Sequence, residues 1–331
     1  MDISNILDKI DNARVAVLGD FCLDIYWYAD MRKSELSRET PHFPLPIVQE
    51  WMSPGAAGNV AENILALKPA SVHCIGVFGN DWRGNVLKDL LSAHGADISG
   101  ITVVQGRQTN TYIKPLRKGL TDVVYEDPRL DFANYTPLDT ATEQKLLATI
   151  EYLADKIDVL CVCDQMPFGV VTPKIRKKLC ELGAQGLKIT VDSRDRINQY
   201  KNVIVKPNDI EACRALEVEP SLDMATLVPL AKRLSARTGC PAVITAGPAG
   251  CAIAEGTEAQ AVKAVQVTGE IDICGAGDTF HSGLACSLAA GASLQDAAAI
   301  ANIAASVTVK MLKTTGTATR EAILKNYALW C

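Results

Sequence analysis

The sequence predicts an α/β protein with a doubly wound, mostly parallel β-sheet that is flanked by helices and carries a small β lid. Two observations support this fold class. Short apolar runs alternate with helical segments along most of the chain, and several of these runs end in Gly, Asp or Asn. Apolar runs without alternation are typical of strands that are covered on both faces, as in parallel sheets.

The first such run is Arg14–Gly19, and Ser71–Val77 is the next strand of this kind. From residue 141 onward the alternation is regular, which favours repeated strand–helix units. The expected elements in this part are a helix over Ala141–Lys156, a strand over Asp158–Cys163, a helix over Pro173–Leu182, strands over Lys188–Val191 and Val203–Val205, helices over Asp209–Leu216 and Ala225–Thr238, and strands over Ala242–Thr245 and Ala261–Thr268.

Two segments, within about residues 21–50 and 109–131, do not read as strand–helix units. The first contains Pro41, Pro44 and Pro46, which favour extended edge structure, and the second contains a turn at Lys118-Gly119. We interpret both as lid strands inserted into a single domain that covers residues 1–331. Length alone also allows two domains, but α/β folds can use this length as one.

Composition argues against several classes of function. The chain of 331 residues has 33 basic and 38 acidic residues, a net charge of −5 and only 5% aromatic residues, without a long basic run. We therefore expect no nucleic-acid partner. The 11 cysteines show no zinc spacing, no apolar leader begins the chain, and no apolar stretch is long enough for a bilayer. The predicted location is the reducing cytoplasm, without membrane association.

The most informative stretch is Asp272–Phe280, which precedes a small-residue helix over Thr279–Ala290. Gly275, Ala276 and Gly277 allow the backbone to approach an anion closely, and the free N–H groups of a helix N-terminus favour the same ligand. Asp278 stands at this helix start, where a carboxylate would repel a phosphate. It is either a helix cap or a general base beside an anion site.

Polar residues also follow the predicted strands near the N-terminus. Asp20 and Asp24 come after the first strand, at the sheet edge where open α/β sheets bind ligands, although either could be a turn residue. Gly55 and Asn59 lie in a small-residue segment that opens a predicted helix. Asn59 could donate and accept hydrogen bonds to hydroxyl groups, or the segment could be a tight helix–sheet contact with Asn59 as a cap.

The later strands end in polar groups as well. Asp164 follows one predicted strand, and Thr245 is the last residue of another. Asn208 and Glu211 stand three apart at a helix start, so that they share a face and could orient waters around Mg²⁺. The alternative for Glu211 is stabilisation of the helix dipole.

Three motifs in this order resemble the ribokinase (PfkB) family of carbohydrate kinases. Asp272–Phe280 is similar to the C-terminal signature of the family, Pro54–Ala61 resembles the N-terminal glycine signature, and Asn208-Asp209-Ile210-Glu211 matches the Asn-x-x-Glu motif. The resemblance covers about Ala13 to Leu324. It implies a ribokinase-like fold and an ATP-dependent transfer of phosphate to a sugar hydroxyl.

The resemblance also implies roles for individual residues. Asp278 would act as the base, with Gly275, Ala276 and Gly277 as anion donors and Mg²⁺ placed by Asn208 and Glu211. The sugar would contact Asp20, Asp24, Gly55, Asn59 and Asp164, and a substrate phosphate would contact Arg38 or Lys114. The nucleotide would lie on Asn208, Thr245, Gly247, Gly250 and Asn302. Asp272 resembles part of a site for a monovalent cation, K⁺ in many relatives.

Within the family, the chain is most similar to kinases of D-glycero-D-manno-heptose 7-phosphate. The similarity rests on six short segments, namely Gly19-Asp20, Leu23-Asp24, Tyr26-Trp27, Ser37–Pro41, Ala301-Asn302 and Gly316–Thr319. The segment after Asp164, Gln165–Gly169, departs from the pattern of those enzymes, so that a ketohexose, pentose or nucleoside is the alternative substrate. We also expect a homodimer, because exposed lid strands seek a partner edge.

Two other classes of function were considered. A nicotinamide-dependent dehydrogenase should carry Gly-x-Gly-x-x-Gly after its first strand, whereas Gly19-Asp20-Phe21 follows here. A non-catalytic sugar sensor on a kinase fold should have lost the base or the anion-site glycines, which are intact in this chain. The sequence therefore favours an active kinase.

Overall fold

A computed structural model describes residues 1–312 and 315–330. Its strands are β1 (Arg14–Gly19), β2 (Phe21–Asp30), β3 (Ile47–Ala56), β4 (Ser71–Gly79), β5 (Asp97–Val104), β6 (Thr111–Lys118), β7 (Val124–Glu126), β8 (Leu130–Phe132), β9 (Val159–Asp164), β10 (Lys188–Ser193), β11 (Ile204–Val205), β12 (Ala242–Thr245), β13 (Cys251–Glu255) and β14 (Glu258–Val262). Its helices are α1 (Ile3–Lys9), α2 (Ala57–Ala66), α3 (Trp82–Ala93), α4 (Thr140–Leu153), α5 (Pro173–Ala184), α6 (Asp209–Leu216), α7 (Met224–Thr238), α8 (Ala276–Ala289), α9 (Leu294–Thr308) and α10 (Arg320–Trp330).

The main sheet has nine strands in the order β14-β13-β12-β11-β10-β9-β1-β4-β5. Every pairing from β12 to β5 is parallel, and only the two pairings that involve β13 are antiparallel. The predicted α/β class with a mostly parallel sheet is therefore confirmed.

Helices cover both faces of this sheet, as the continuous apolar runs predict. Along β1, Val15 and Val17 belong to one buried cluster together with residues of α2, α8 and α9, whereas Ala16 and Leu18 belong to another with residues of α4, α5 and α7. Successive side chains of a strand point to opposite faces. The two clusters are thus the two layers of a doubly wound fold.

The strand order reverses direction around β1. The chain proceeds from β1 to β4 and β5 on one side, and from β9 to β10 and beyond on the other. In open parallel sheets, the crevice beyond the carboxyl ends of the strands at such a point is the usual ligand site. Asp20 follows β1 and Asp164 ends β9, so both lie at this edge.

The two segments outside the regular alternation form a second, five-stranded sheet. Its order is β3-β2-β6-β7, and β8 also pairs with β6. β2 pairs antiparallel with β3 and parallel with β6. The last residues of β3 lead directly into α2, so this sheet is joined to the edge of the main sheet that carries the polar strand ends.

One expected strand differs from the structure. The run Ala261–Thr268 was expected to lead as a strand into the signature stretch, but the strand is Glu258–Val262, and residues 263–275 form neither strand nor helix. The reason is its partner: β14 forms a hairpin with β13 whose pairing ends at Cys251 opposite Val262.

The length and hydropathy of the helices show whether any of them could span a membrane. Among residues 1–312 and 315–330, no helix is both long enough and apolar enough to cross a bilayer.

Candidate active site

The N-terminus of α8 forms the mouth of the site. Gly275 precedes this helix with a φ of +78°, a backbone conformation that favours glycine. A Cβ atom on Gly275 would lie 2.7 Å from Asn59 Nδ2, so the close approach of α2 to this loop also requires glycine. The Ala276 N–H donates to the Ile273 carbonyl at 3.2 Å. Of the three predicted anion donors, Ala276 therefore already has a partner.

Asp278 lies in the first turn of α8 and is half-buried. Asn59 Nδ2 donates to Asp278 Oδ2 at 2.8 Å, and Asn63 Nδ2 in turn donates to Asn59 Oδ1 at 3.2 Å. Removal from water raises the pKa of Asp278 to about 6; the negative charge of Asp192 adds to this rise, and the Asn59 hydrogen bond and the positive charge of Lys206 oppose it. The carboxyl group is therefore poised to exchange a proton near neutral pH.

A buried ion pair that the sequence patterns do not predict lies beside this carboxylate. Lys206 Nζ is 2.9 Å from Asp192 Oδ2, and the Lys206 side chain is only 3% exposed. A Cβ atom on Gly277 would lie 4.0 Å from Lys206 Nζ, so the ammonium faces the anion site. Burial lowers the pKa of Lys206, but nearby carboxylates outweigh this effect and raise it. The available signal was a lysine at the end of an otherwise apolar strand.

The predicted metal pair forms a reciprocal helix cap. Asn208 Oδ1 accepts from the Glu211 N–H at 2.8 Å, and Glu211 Oε2 accepts from the Asn208 N–H at 2.9 Å. Burial, followed by the charge of Asp192, raises the pKa of Glu211 to about 7. Thr245 pairs with Asn208 in an isolated β-bridge. The predicted metal and nucleotide residues are thus neighbours, and no group of three or more His, Cys, Asp or Glu in the described chain is arranged as an all-protein metal site.

Asp24 lies on β2 and faces the same region from the second sheet. Within the described residues its Oδ1 atom is buried without a hydrogen bond, and Oδ2 lies 3.6 Å from Lys114 Nζ. The Lys114 ammonium also donates to the Tyr26 hydroxyl at 3.0 Å and approaches Cys274 Sγ at 3.7 Å. A Cβ atom on Gly55 would lie 2.7 Å from Asp24 Oδ1. Gly55 therefore leaves the space that Asp24 Oδ1 occupies, and this oxygen can still accept a hydrogen bond.

Asp20 organises a loop. Its carboxylate accepts hydrogen bonds from the backbone N–H groups of Gln165, Met166 and Val170 at 2.7–3.0 Å. Burial nevertheless raises the pKa of Asp20 to about 6. These three bonds fix the segment after β9, so Asp20 shapes the site through this loop, and direct contact with a sugar stays a prediction.

Asp164 is entirely buried in a polar network. It accepts from Ser193 Oγ and Tyr200 OH at 2.8 Å, and the Arg196 guanidinium binds both of its oxygens at 2.5–3.1 Å. Arg176 adds a second cation at 3.7 Å. The structure therefore gives Asp164 a structural role next to the loop that Asp20 holds, and direct contact of Asp164 with a sugar stays a prediction.

The predicted nucleotide residues lie together at the ends of β12, β13 and β14. Gly247 and Gly250 both have positive φ, and a Cβ atom on Gly250 would lie 2.1 Å from the Val262 carbonyl oxygen. Asn302 on α9 is buried, and its Nδ2 atom lies 3.3 Å from the carbonyl oxygens of Val262 and Lys263. Asn302 thus holds the backbone next to the glycine turn.

Two further predicted residues lie at the rim. Asp272 Oδ1 accepts from the Cys274 N–H at 2.9 Å and so shapes the loop before Gly275. Arg38 is exposed on the connection between β2 and β3, and its contact with a substrate phosphate stays a prediction.

This geometry combines a carboxylate poised near neutral pH, a glycine-lined helix N-terminus, a buried ammonium and an aspartate with one buried oxygen that has no hydrogen bond in the described chain. Such a set can accept a proton from an alcohol while it stabilises negative charge on a phosphoryl group. It defines a phosphotransferase with an alcohol group as acceptor.

Comparison with known proteins specifies the class. Residues 13–320 match the model of the pfkB family of carbohydrate kinases, so the chain belongs to this family. The bifunctional protein HldE of Desulfatibacillum aliphaticivorans is 33% identical over 319 residues, which are 93% of this chain and 61% of that protein. The chain spans 60–65% of the length of the first curated relatives that it matches.

Solved structures share the fold. Phosphofructokinase-2 from Escherichia coli, in complex with substrates and products, superimposes with a TM-score of 0.75 at 20% identity, over 96% of this chain and 99% of that chain. Ribokinase from Arabidopsis thaliana, complexed with ribose and ATP, has a TM-score of 0.72 at 17% identity, over 95% of this chain and 98% of that chain. These similarities confirm a ribokinase-like fold.

Proposed function

We propose that this carbohydrate kinase transfers the γ-phosphate of ATP to the 1-hydroxyl of D-glycero-D-manno-heptose 7-phosphate. The observation that carries the kinase reaction is the position of Asp278, which shares one helix N-terminus with Gly275 and Gly277 and has a pKa near neutrality. The choice of heptose 7-phosphate as the substrate is supported by the residues that resemble heptose 7-phosphate kinases and by the similarity to HldE proteins. A different sugar is the second candidate, because Gln165–Gly169 departs from the pattern of those kinases.

In this mechanism Asp278 accepts the proton of the attacking hydroxyl. Asn59 fixes the carboxylate through its 2.8 Å hydrogen bond, and this orientation lets the other carboxylate oxygen meet the substrate. The N–H groups at the start of α8 and the Lys206 ammonium stabilise negative charge on the phosphoryl group. Since phosphoryl transfer depends mainly on positioning and charge stabilisation, these groups supply most of what the reaction needs.

The residues present fit a nucleotide and a water-coordinated metal. Gly247 and Gly250 form a turn in which side chains would be strained, and the exposed Gly247 leaves this turn accessible to ATP. Bound Mg²⁺ would neutralise phosphate charge, and Glu211 with Asn208 would hold its waters. A role of Asp272 in K⁺ binding is the further part of this proposal; among the solved structures of similar fold, one of Escherichia coli phosphofructokinase-2 is in complex with potassium.

A substrate panel tests the proposal. ATP consumption is measured with heptose 7-phosphate, the unphosphorylated heptose, fructose 6-phosphate, ribose and adenosine, each with K⁺ or Na⁺. We expect the highest kcat/KM with heptose 7-phosphate. Turnover of another sugar would retain the kinase and refute the heptose, and no turnover with any acceptor would refute catalysis by this chain.

The pH dependence of kcat/KM should show an acid limb with an apparent pKa near 6. The pKa of Asp278 is raised by folding, so the carboxyl group gains its proton as the pH falls through about 6 and can then no longer act as a base. Below that pH we expect kcat/KM to fall about tenfold per unit.

Glu211 titrates in a nearby range, and Asp192 raises the pKa of both groups, so two variants are compared and only Asn59→Leu acts on Asp278 without acting on Glu211. Asp192→Asn removes a charge that raises the pKa of Asp278 and should move the limb to lower pH. Asn59→Leu removes a hydrogen bond that lowers this pKa and should move the limb to higher pH. His281 and Lys206 also act on Asp278 and are unchanged in both variants. An acid limb that stays in place in both would rule out Asp278 as its origin.

We also propose a cytoplasmic homodimer that forms through the second sheet. β3 is an edge strand of that sheet, and Phe43, Leu45, Ile47 and Val48 on or before it are 40–62% exposed. Exposed apolar edge strands favour pairing with another chain.

The cysteines support the cytoplasmic location. The ten cysteines in the described residues are free thiols, as expected in a reducing compartment.

Light scattering should give twice the mass of the chain. Val48→Lys should shift the mass toward the monomer, because it places a charge within the apolar edge. Leu222→Lys is the matched control, since Leu222 is 65% exposed but lies before α7, outside the second sheet. A monomeric wild-type protein would contradict the dimer.

A further inference from the structure

Arg129 lies on the face of the second sheet that is turned toward the candidate active site. Asp24 pairs with Tyr112 across β2 and β6, and Tyr112 pairs with Asp131 across β6 and β8. Paired residues on neighbouring strands point to the same face, and so do residues two apart in an extended chain. Asp24, Tyr112, Asp131 and Arg129 therefore share one face, which we call the substrate face.

The Arg129 guanidinium is held in a fixed orientation on this face. It lies 4.1 Å from the Tyr112 ring, and its Nε and Nη2 atoms donate to the two Asp131 oxygens at 2.6 and 2.7 Å. An arginine has five N–H donors, so three of them remain for a ligand. The side chain is still 45% exposed, which leaves these donors accessible.

The charges on the substrate face, together with that of Arg194 after β10 of the main sheet, favour an anion near Arg129. The Lys114 ammonium already forms an ion pair with Asp24 and donates a hydrogen bond to the Tyr26 hydroxyl. Arg129 and Arg194 both act electrostatically on Tyr112, and in the described chain the Arg194 side chain is exposed and has no ion pair. Lys114, Arg129 and Arg194 together outnumber the carboxylates of Asp24 and Asp131.

The spacing matches a sugar with a charged end. Asp24 stands two strands away from Asp131, which corresponds to about 10 Å at the usual distance between strands. A sugar hydroxyl on the buried Asp24 oxygen would leave the far end of an extended chain of six or seven carbons near Arg129. Smaller sugars without a terminal anion would not reach it.

We propose that Arg129 binds the terminal phosphate of the sugar substrate and so selects phosphorylated sugars over unphosphorylated ones. This inference rests on the proposed sugar kinase function and assigns a specificity-determining residue to it. The free N–H groups of Arg129 would donate two parallel hydrogen bonds to the phosphate. Its contacts with Tyr112 and Asp131 fix the orientation of the guanidinium group. The role that the sequence suggested for Arg38 or Lys114 then belongs chiefly to Arg129.

The test compares Arg129→Ala with Arg117→Ala. Arg117 is a matched control, because it lies in an ion pair with Asp127 at 2.7 Å and 5.6 Å from the Tyr125 ring, but on the opposite face of β6 from Tyr112 and Lys114. KM and kcat are measured for heptose 7-phosphate and for the unphosphorylated heptose. Binding of both sugars without ATP is measured by isothermal titration calorimetry.

In Arg129→Ala, KM and Kd for heptose 7-phosphate should rise about 10–100-fold, the usual cost of losing a charged hydrogen bond. We expect kcat to change less than about threefold, because the lost contact is made equally in the ground and transition states. Values for the unphosphorylated heptose should be unchanged, and Arg117→Ala should resemble the wild-type protein. Arg129→Lys should be intermediate, since it keeps the charge but loses the two parallel hydrogen bonds.

An equal loss for both sugars, or none for either, would overturn the proposal. So would a wild-type protein that binds the unphosphorylated heptose as tightly as heptose 7-phosphate. Absence of ATP turnover with every sugar would instead refute the kinase function, and the calorimetric comparison of the two sugars would still decide the role of Arg129.

Discussion

Asp278→Asn should lower kcat by about 10²–10⁴-fold, which is the usual contribution of a general base. The amide keeps the shape of the side chain but cannot accept the proton of the attacking hydroxyl. Since the N–H groups of α8 and the Lys206 ammonium remain, ATP and the sugar should still bind. The measurement is steady-state turnover, combined with calorimetric titration of both substrates.

Asp296→Asn provides the control for this variant. Asp296 lies in the first turn of α9, as Asp278 does in α8, so that both carboxylates can stabilise a helix dipole. If Asp278 were only such a residue, both variants would lose a similar small amount of stability and both would retain turnover. Near-normal kcat in Asp278→Asn would therefore contradict its role as the base.

Asp164→Ala should lower the free energy of unfolding by about 3–5 kcal/mol, the usual cost of removing one partner of a buried ion pair. The substitution would leave the buried Arg176 and the largely buried Arg196 without the carboxylate that they share. It would also remove the acceptor of the Tyr200 hydroxyl. The measurement is the urea-unfolding midpoint, compared between variant and wild-type protein.

Asp195→Ala is the matched control, because Asp195 pairs with Arg214 at the exposed surface. Loss of such a pair should cost less than about 1 kcal/mol. A sugar ligand at position 164 would give a different result, namely little change in stability and a large rise in KM. The experiment therefore separates the structural role of Asp164 from the role suggested by its place at a strand end.

Much of the fold could be predicted from the sequence, because its signals are local. The boundaries of α6 and β12 agree with the expected ones, since each element is set by its own apolar pattern and end residues. The expected strand over Ala261–Thr268 was wrong, because its local pattern does not set its boundaries. Its true extent depends on the register with β13, which is a contact between segments and leaves no local pattern.

The site shows the same division. The helix N-terminus at Gly275 and the cap formed by Asn208 and Glu211 are short motifs, and their geometry follows from residues close in sequence. The N-terminal glycine segment has an unusual backbone conformation. Ala56, the residue before α2, has a φ of +50°, which residues other than glycine rarely adopt. The sequence predicted a small-residue turn there but not this conformation.

The sequence by itself determined the class of fold and the class of reaction, because both depend on short motifs in a fixed order. Only the tertiary structure decided which polar residues meet. Lys114 reaches Cys274 across 160 positions of the chain, Asn59 reaches Asp278 across 219, and Asp164 turns inward to Arg196. Such encounters depend on strand pairing and burial, and these decide whether a carboxylate at a strand end binds a ligand or holds the protein together.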